Sequence, residues 1–199
     1  MEKISIINAL QTRHHMIEAN LGEAVRRLRE RSHISLRTLA EKCDFSPSFI
    51  SQVENGQASP SISSMEKIAL ALGVTLGEFF QSTENGASNV VRADGRLGLN
   101  SEWSKANIES LAHSAPGSKL EAVVVTLFAG GTSAKRPVSG TYEEFALVLS
   151  GSVSLTLGDQ SEQLLNPGDA VSIRQGLARQ WQNKGGETTQ ILVVSARFV

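Results

Sequence analysis

The stretch Leu36–Gly56, LRTLAEKCDFSPSFISQVENG, decides what the first half of the chain can be. Leu36, Leu39, Ala40 and Cys43 recur at i, i+3, i+4 and i+7, the spacing of one buried helix face. A second apolar set, Phe49, Ile50 and Val53, follows after the short break at Asp44 and Phe45, too short for two antiparallel helices. Two helices joined steeply by such a turn form the unit that lays its second helix in the major groove of DNA. Ser35 before the first helix, and Ser46 with Pro47 before the second, supply the start signals. With Phe49, Ile50 and Val53 turned to the core, Ser46, Ser48, Ser51 and Gln52 are left outside, where they can hydrogen-bond base edges or phosphates.

Helical spacing continues on both sides. Leu21, Ala24, Val25 and Leu28 form an upstream face, and Ile62, Met65, Ile68, Ala69 and Leu72 a downstream one that Gly73 ends. Leu76, Phe79 and Phe80 make a fifth segment, opened by the capping box Thr75 and Glu78. Five short helices over residues 17–80 predict a compact all-helical domain behind an extension at 1–16. Residues 81–89, QSTENGASN, have no period and read as a linker. Over 90–199 the period becomes alternating: LEAVVVTLFA, EFALVLSG, SVSLTLGD, AVSIRQG and TTQILVVSARFV are short strand-like runs separated by turn residues at Gly158–Asp159, Pro167–Asp169 and Gly185–Gly186. That pattern predicts a β-sandwich or barrel.

The chain of 199 residues accommodates two small domains, with 40% hydrophobic and 20% charged residues and a formal net charge of −1. No apolar run approaches the roughly 18 residues that cross a bilayer, and the N-terminus lacks a signal-peptide pattern, so a cytosolic protein without a membrane partner is expected. Cys43 has no second cysteine to pair with and reads as a small buried side chain. The arginines of RRLRER, Arg26–Arg31, read as a solvated helix face in which Glu23 and Glu30 lie within helical reach of Arg27 and Arg26.

The segment ISLRTLAEKCDFSPSFISQVENGQASPSISSMEKIALALGV resembles the helix-turn-helix of the Xre family, which includes the phage repressors and Cro. The resemblance implies that Pro47, Ser48 and Gln52 face base edges and that Arg37 and Asn55 lie near phosphates. It also implies that Arg29 and Glu54 pair to tie the first helix to the third. Proline stands at 47 where relatives often carry glutamine, which shifts base reading towards Ser48, Gln52 and apolar contact with thymine methyls. One such domain covers one half-site, so a homodimer on a pseudo-palindromic double-stranded operator is expected.

Residues 90–199 resemble the cupin family of small β-barrels. Its first motif runs Gly131, Pro137, Ser139, Glu144, Gly151, and its second Gly168, Arg174, Gly176, Arg179, Asn183. Of the family's metal ligands only Glu144 is kept, and Pro137, Ser139 and Arg179 replace histidines. A guanidinium has no acceptor and repels a cation, so neither metal nor cofactor is expected. Glu144 and Arg179 read as an ion pair at the barrel mouth, open to two interpretations. It is a structural remnant in a barrel used for dimerisation, or it belongs to a pocket for a small, anionic effector. In the second reading Arg179 takes a carboxylate, Trp181 supplies an apolar wall, and Ser139, Tyr142 and Arg174 stand at the rim. Trp103 and His113 read as packing. Some cupins fused to helix-turn-helix domains are metal-dependent oxygenases or epoxidases, which keeps an enzyme as the competing class. The expectation is a multi-domain α + β chain. A five-helix Xre/Cro-like domain precedes a cupin β-barrel, or double-stranded β-helix, in a DNA-binding transcriptional regulator without catalytic residues.

Overall fold

The protein is described here by a computed structural model covering residues 21–74, 90–96, 98–112 and 119–196. The first of these stretches holds α1, helical across residues 21–31, then α2 (Leu36–Cys43), α3 (Pro47–Glu54) and α4 (Ile62–Leu72). The expected fifth helix, with Thr75, Leu76, Glu78, Phe79 and Phe80, lies outside the described residues, as do the extension and the linker.

Local chemistry explains these boundaries. Ser35 Oγ accepts the Thr38 N–H at 3.0 Å and Ser46 Oγ the Phe49 N–H at 3.2 Å, each satisfying an amide that the first turn leaves unpaired. Ser61, a start signal the sequence reading did not single out, does the same for α4 through the Ser64 N–H at 3.2 Å. Gly73 ends α4 in the left-handed region at φ 71°, where a side chain would be strained. Asp44, also left-handed at φ 57°, turns the chain sharply between α2 and α3. The faces so positioned bury Val25, Leu39, Ala40, Ile50, Val53, Met65 and Ile68. Helix α1 crosses the end of α3 at backbone distance: a Cβ on Gly22 would lie 2.6 Å from the carbonyl oxygens of Val53 and Glu54.

The remainder forms two sheets whose paired strands all run antiparallel. The strands are β1 (Gly98–Ser101), β2 (Ala106–Ser110), β3 (Leu120–Leu127), β4 (Val138–Ser139), β5 (Glu143–Ser150), β6 (Val153–Leu157), β7 (Gln163–Leu165), β8 (Ala170–Ile173), β9 (Ala178–Gln182) and β10 (Thr189–Ala196). One sheet has the order β1-β2-β3-β10-β5-β8 and the other β4-β9-β6-β7. Val123, Val125, Ala146, Val148, Ile191 and Val193 from the first are buried, as are Val153, Leu155, Leu157 and Trp181 from the second. The period-two rule then fixes the polar residues. On β5, Glu144 is buried with Ala146 and Val148 while Phe145 is exposed; on β9, Arg179 and Trp181 point inward together. Gly151 permits the turn from β5 to β6, because at φ 66° its Cβ would also strike the Thr188 carbonyl oxygen at 2.6 Å.

Helix α4 rests against the barrel. The Ser63 N–H donates to the Ser133 carbonyl at 3.4 Å, and Ile62, Ala69 and Leu70 line the same cavity as Val123, Val125 and Ile191. The reading unit and the barrel therefore share a wall.

Substituting Gly22→Ala is expected to destabilise the protein by about 1–3 kcal/mol, the usual range for an overpacked contact, and to lower the thermal midpoint with helicity retained. An unchanged midpoint would show that α1 does not cross α3 at backbone distance in solution.

Candidate DNA interface and barrel cavity

The outer face of α3 is built from polar residues that its apolar stripe leaves outside. Ser46, Pro47, Ser48, Gln52 and Asn55 are exposed and Ser51 is half-buried, so the sequence-expected set shares one surface. Ser46 is partly committed, since its hydroxyl caps the helix and lies 3.0 Å from Ser48 Oγ. Arg37, on α2, is exposed and hydrogen-bonds Glu41 at 3.0 Å, a solvated pair that phosphate can displace at small cost.

What holds α3 in place is Glu54. Its buried carboxylate accepts from Arg29 Nε at 2.6 Å and Nη2 at 2.9 Å, a bidentate contact, and from Arg26 Nε at 3.3 Å. The hydrogen bond to Glu54 raises the Arg29 pKa above its ordinary value. The pairing of Arg29 with Glu54 follows the resemblance. Arg26 departs from the sequence expectation: it reaches across to Glu54, and to Asn55 Oδ1 at 2.7 Å, where a contact with Glu30 along α1 was expected. Helical spacing brought Glu30 within reach, but a buried carboxylate is the stronger acceptor. Cys43 is buried, and burial pushes its thiol up to about 11, which suits packing and not reactivity.

In the barrel, a cavity of about 250 Å³ opens between α4 and the two sheets. Apolar side chains of Ile108, Val123, Val125, Trp181, Ile191 and Val193 make most of its wall, and Ser139, Tyr142, Glu144 and Arg179 supply polar groups. Five of the six expected cavity residues are thus brought together. Arg174 is the correction: it follows β8 on an exposed turn and does not line the cavity, because the strand ends at Ile173 and the chain turns outward. Trp103 lies outside the cavity with Lys135 Nζ 5.2 Å above its ring, and His113 is outside the described residues.

At the polar end, Arg179 Nε and Nη2 donate to the two oxygens of Glu144 at 2.5 and 2.6 Å, joining β9 to β5 across the two sheets. The sequence did not disclose the third member. Arg179 Nη2 also donates to Glu66 Oε1 at 3.1 Å, from α4 of the helical half. Glu66 sits where a helix normally carries a solvated carboxylate, so only the packing of the two halves reveals its role. Burial raises the Glu144 carboxyl from its ordinary 4.5 to about 7; the Arg179 charge opposes the rise, and the Glu66 and Glu121 carboxylates add to it. For Arg179 burial works against the charge, and Glu66 and Glu144 overcome it, leaving the pKa above its ordinary value.

These residues do not fit a transition metal. Both Glu144 oxygens accept from a guanidinium, Pro137 is exposed without a donor, and no group of three His, Cys, Asp or Glu able to hold a metal occurs among the described residues. What the site offers is a buried guanidinium, held by Glu144 and Glu66, at one end of an apolar chamber.

Residues 25–79 match the helix-turn-helix family and residues 123–195 the cupin domain. The HTH-type transcriptional regulator PuuR of Escherichia coli is 25% identical over 173 residues, covering 86% of this chain and 91% of its own. Control protein C.MunI of Mycoplasma sp is 33% identical over 69 residues, covering 34% of this chain and 93% of its own. Among solved structures, an HTH_3 family transcriptional regulator from Vibrio cholerae superposes with a TM-score of 0.71 at 20% identity, over 94% of this chain and 99% of that one. The fold therefore extends over both halves.

The Glu144 titration has a defined sign. With its pKa at about 7 in the folded chain against 4.5 unfolded, its contribution to stability is full below 4.5 and is lost as pH rises through about 7. Replacing Glu66→Gln removes one of the charges that raise it and leaves Arg179 on β9 and Glu121 on β3 facing it. A lower Glu144 midpoint in a carbon-detected NMR titration is expected, with less stability lost on the alkaline side. An unmoved midpoint would show that Glu66 and Glu144 do not share Arg179.

Proposed function

The chain belongs to the Xre-type helix-turn-helix family of transcriptional regulators and carries a cupin domain, and from that premise we propose that its barrel is a metal-free sensor for a small carboxylate. The supporting observation is Arg179, a buried guanidinium at the polar end of an apolar cavity of about 250 Å³. Drug-sized ligand sites run from roughly 300 Å³ upward, so a small metabolite suits this one. Its planar anion would meet the guanidinium, and its carbon skeleton would lie against Trp181 and the valines of β3 and β10. The barrel also serves as the dimerisation half in this reading, since one reading head covers only one half-site. The protein acts on DNA in the cell interior and performs no catalysis.

On DNA, α3 enters the major groove with Pro47, Ser48 and Gln52 towards the bases, while Ser46, Ser51, Arg37 and Asn55 meet the backbone. Gln52 has the amide geometry that pairs both edge groups of adenine, and Pro47 offers only apolar contact. Gln52→Ala should relax specificity at one operator position. Arg37→Ala should weaken binding to all sequences and reduce the salt slope by about one. Equal slopes for Arg37→Ala and the wild type would remove Arg37 from the phosphate contacts.

For the sensor, a thermal-shift series with small aliphatic and aromatic carboxylates and with matched amines tests the ligand class. Stabilisation by carboxylates is expected, growing with concentration as binding to the folded state requires. The cavity is also lined by Glu66 and Glu121, so stabilisation by amines with none by carboxylates would overturn the anion reading.

A further inference from the structure

We infer that Glu66 of α4 is a tethered stand-in for the effector, holding the edge of Arg179 that an incoming carboxylate would take and leaving it when the effector binds. The inference rests on the reading of Arg179 as the anion site and adds how that site reaches the DNA-binding half.

The guanidinium is divided unequally. Its Nε/Nη2 edge is filled by both oxygens of Glu144 at 2.5 and 2.6 Å, and that carboxylate is buried on β5. The Nη1/Nη2 edge is filled less well. Nη2 meets a single oxygen of Glu66 at 3.1 Å, and Nη1 has only the Val138 carbonyl at 3.5 Å. Beside Nη1 stands Gly140, where a Cβ would lie 3.3 Å from Glu144 Oε1 and 3.6 Å from Nη1, so position 140 adds no side chain to that edge. A free carboxylate there can make two hydrogen bonds where Glu66 makes one. The Glu66 side chain is also 34% exposed, against 7% for Glu144, so its return to water costs less.

Charge makes the two occupants exclusive. Two carboxyl groups already share one guanidinium. A third carboxylate beside them would add repulsion in a site with little water, whereas exchange for Glu66 leaves the buried charge unchanged. Expulsion of Glu66 has a mechanical consequence, because among the described residues its pair with Arg179 is the ion pair that joins α4 to the barrel. Helix α4 packs on α2, where Cys43 Sγ lies 3.9 Å from the Lys67 carbonyl, so loosening it from the barrel changes the placement of α3 relative to the dimerising half. The effector thus has what a switch requires, a higher affinity for the undocked arrangement than for the docked one.

The test uses the full-length protein and benzoate, a planar carboxylate on an apolar ring. Its affinity is measured by calorimetry for wild type, for Glu66→Gln, and for the double variant Glu144→Gln with Arg179→Gln, which leaves the net charge unchanged and removes both buried charges of the site. Hydrogen exchange is followed across residues 62–72. If Glu66 occupies the edge about nine-tenths of the time, its removal raises the apparent affinity about tenfold. Benzoate should then speed exchange of α4 in the wild type, and Glu66→Gln should show fast exchange without it. Benzoate binding that is equal in wild type and Glu66→Gln, and lost in the double variant, would overturn the stand-in role while leaving Arg179 as the anion site. Binding that survives in the double variant, or no binding to wild type and Glu66→Gln alike, would overturn the anion site itself.

Discussion

The arrangement of the molecule depends on one buried guanidinium. Arg179 joins β9 to β5, and so one sheet to the other; through Glu66 it also joins the barrel to α4. A buried cation is costly in isolation, and the cost is met by two carboxylates from different parts of the chain. This is a different solution from a metal centre. A metal gathers ligands around an ion that solution supplies, whereas here the positive charge belongs to the chain and its carboxylate partners come from two different elements. One partner is fixed in a strand and the other is carried by the helical half.

A second arginine–carboxylate lock shows the same logic at lower stakes. Arg29 grips Glu54 bidentately and positions α3 against α1, while the Gly22 contact brings the two backbones together. Both partners belong to the helical half, so this lock stiffens the reading unit and does not couple it to anything else. Arg179 spans 113 positions to Glu66 and is therefore a charged bridge between the barrel and the helices, beside the Ser63–Ser133 hydrogen bond. The stiff lock and the bridging lock are complementary. A rigid reading unit is needed if a small change at α4 is to move α3 as a body and not be absorbed within the domain.

Much of this was legible in the residues. The helix-turn-helix followed from apolar spacing and start signals at Ser35, Ser46 and Pro47, because those signals act within one turn. The pairing of Glu144 with Arg179 followed from the resemblance to the cupin motifs, and the shared face of Arg179 and Trp181 from the period-two alternation of a strand. Strands β1 and β2 escaped notice, since GLNS and ANIES carry polar residues at alternate positions with few apolar partners and gain their burial from β3. Arg174 was misplaced because motif spacing locates a residue along a strand but not beyond its end. Glu66 was invisible for a deeper reason: its role comes from the docking of two domains, and no local pattern encodes what a helix's outer face will meet.

That last point bears on how sensing and reading are divided between the halves. Had the cavity been closed by residues of the barrel alone, a ligand could bind there without any consequence for DNA, and coupling would need a separate device in the linker. Because α4 contributes Ile62, Glu66, Ala69 and Leu70 to the cavity wall, the binding energy of anything inside depends on where the helical half sits. Linkage then works in both directions. If the proposed sensor holds, an operator that favours one placement of the reading heads changes the affinity for the effector by the same factor that the effector changes the affinity for the operator. In the proposed sensor, α4 is the element common to the cavity wall and the helical half, and its ion pair with Arg179 would set how much of an effector's binding energy reaches α3.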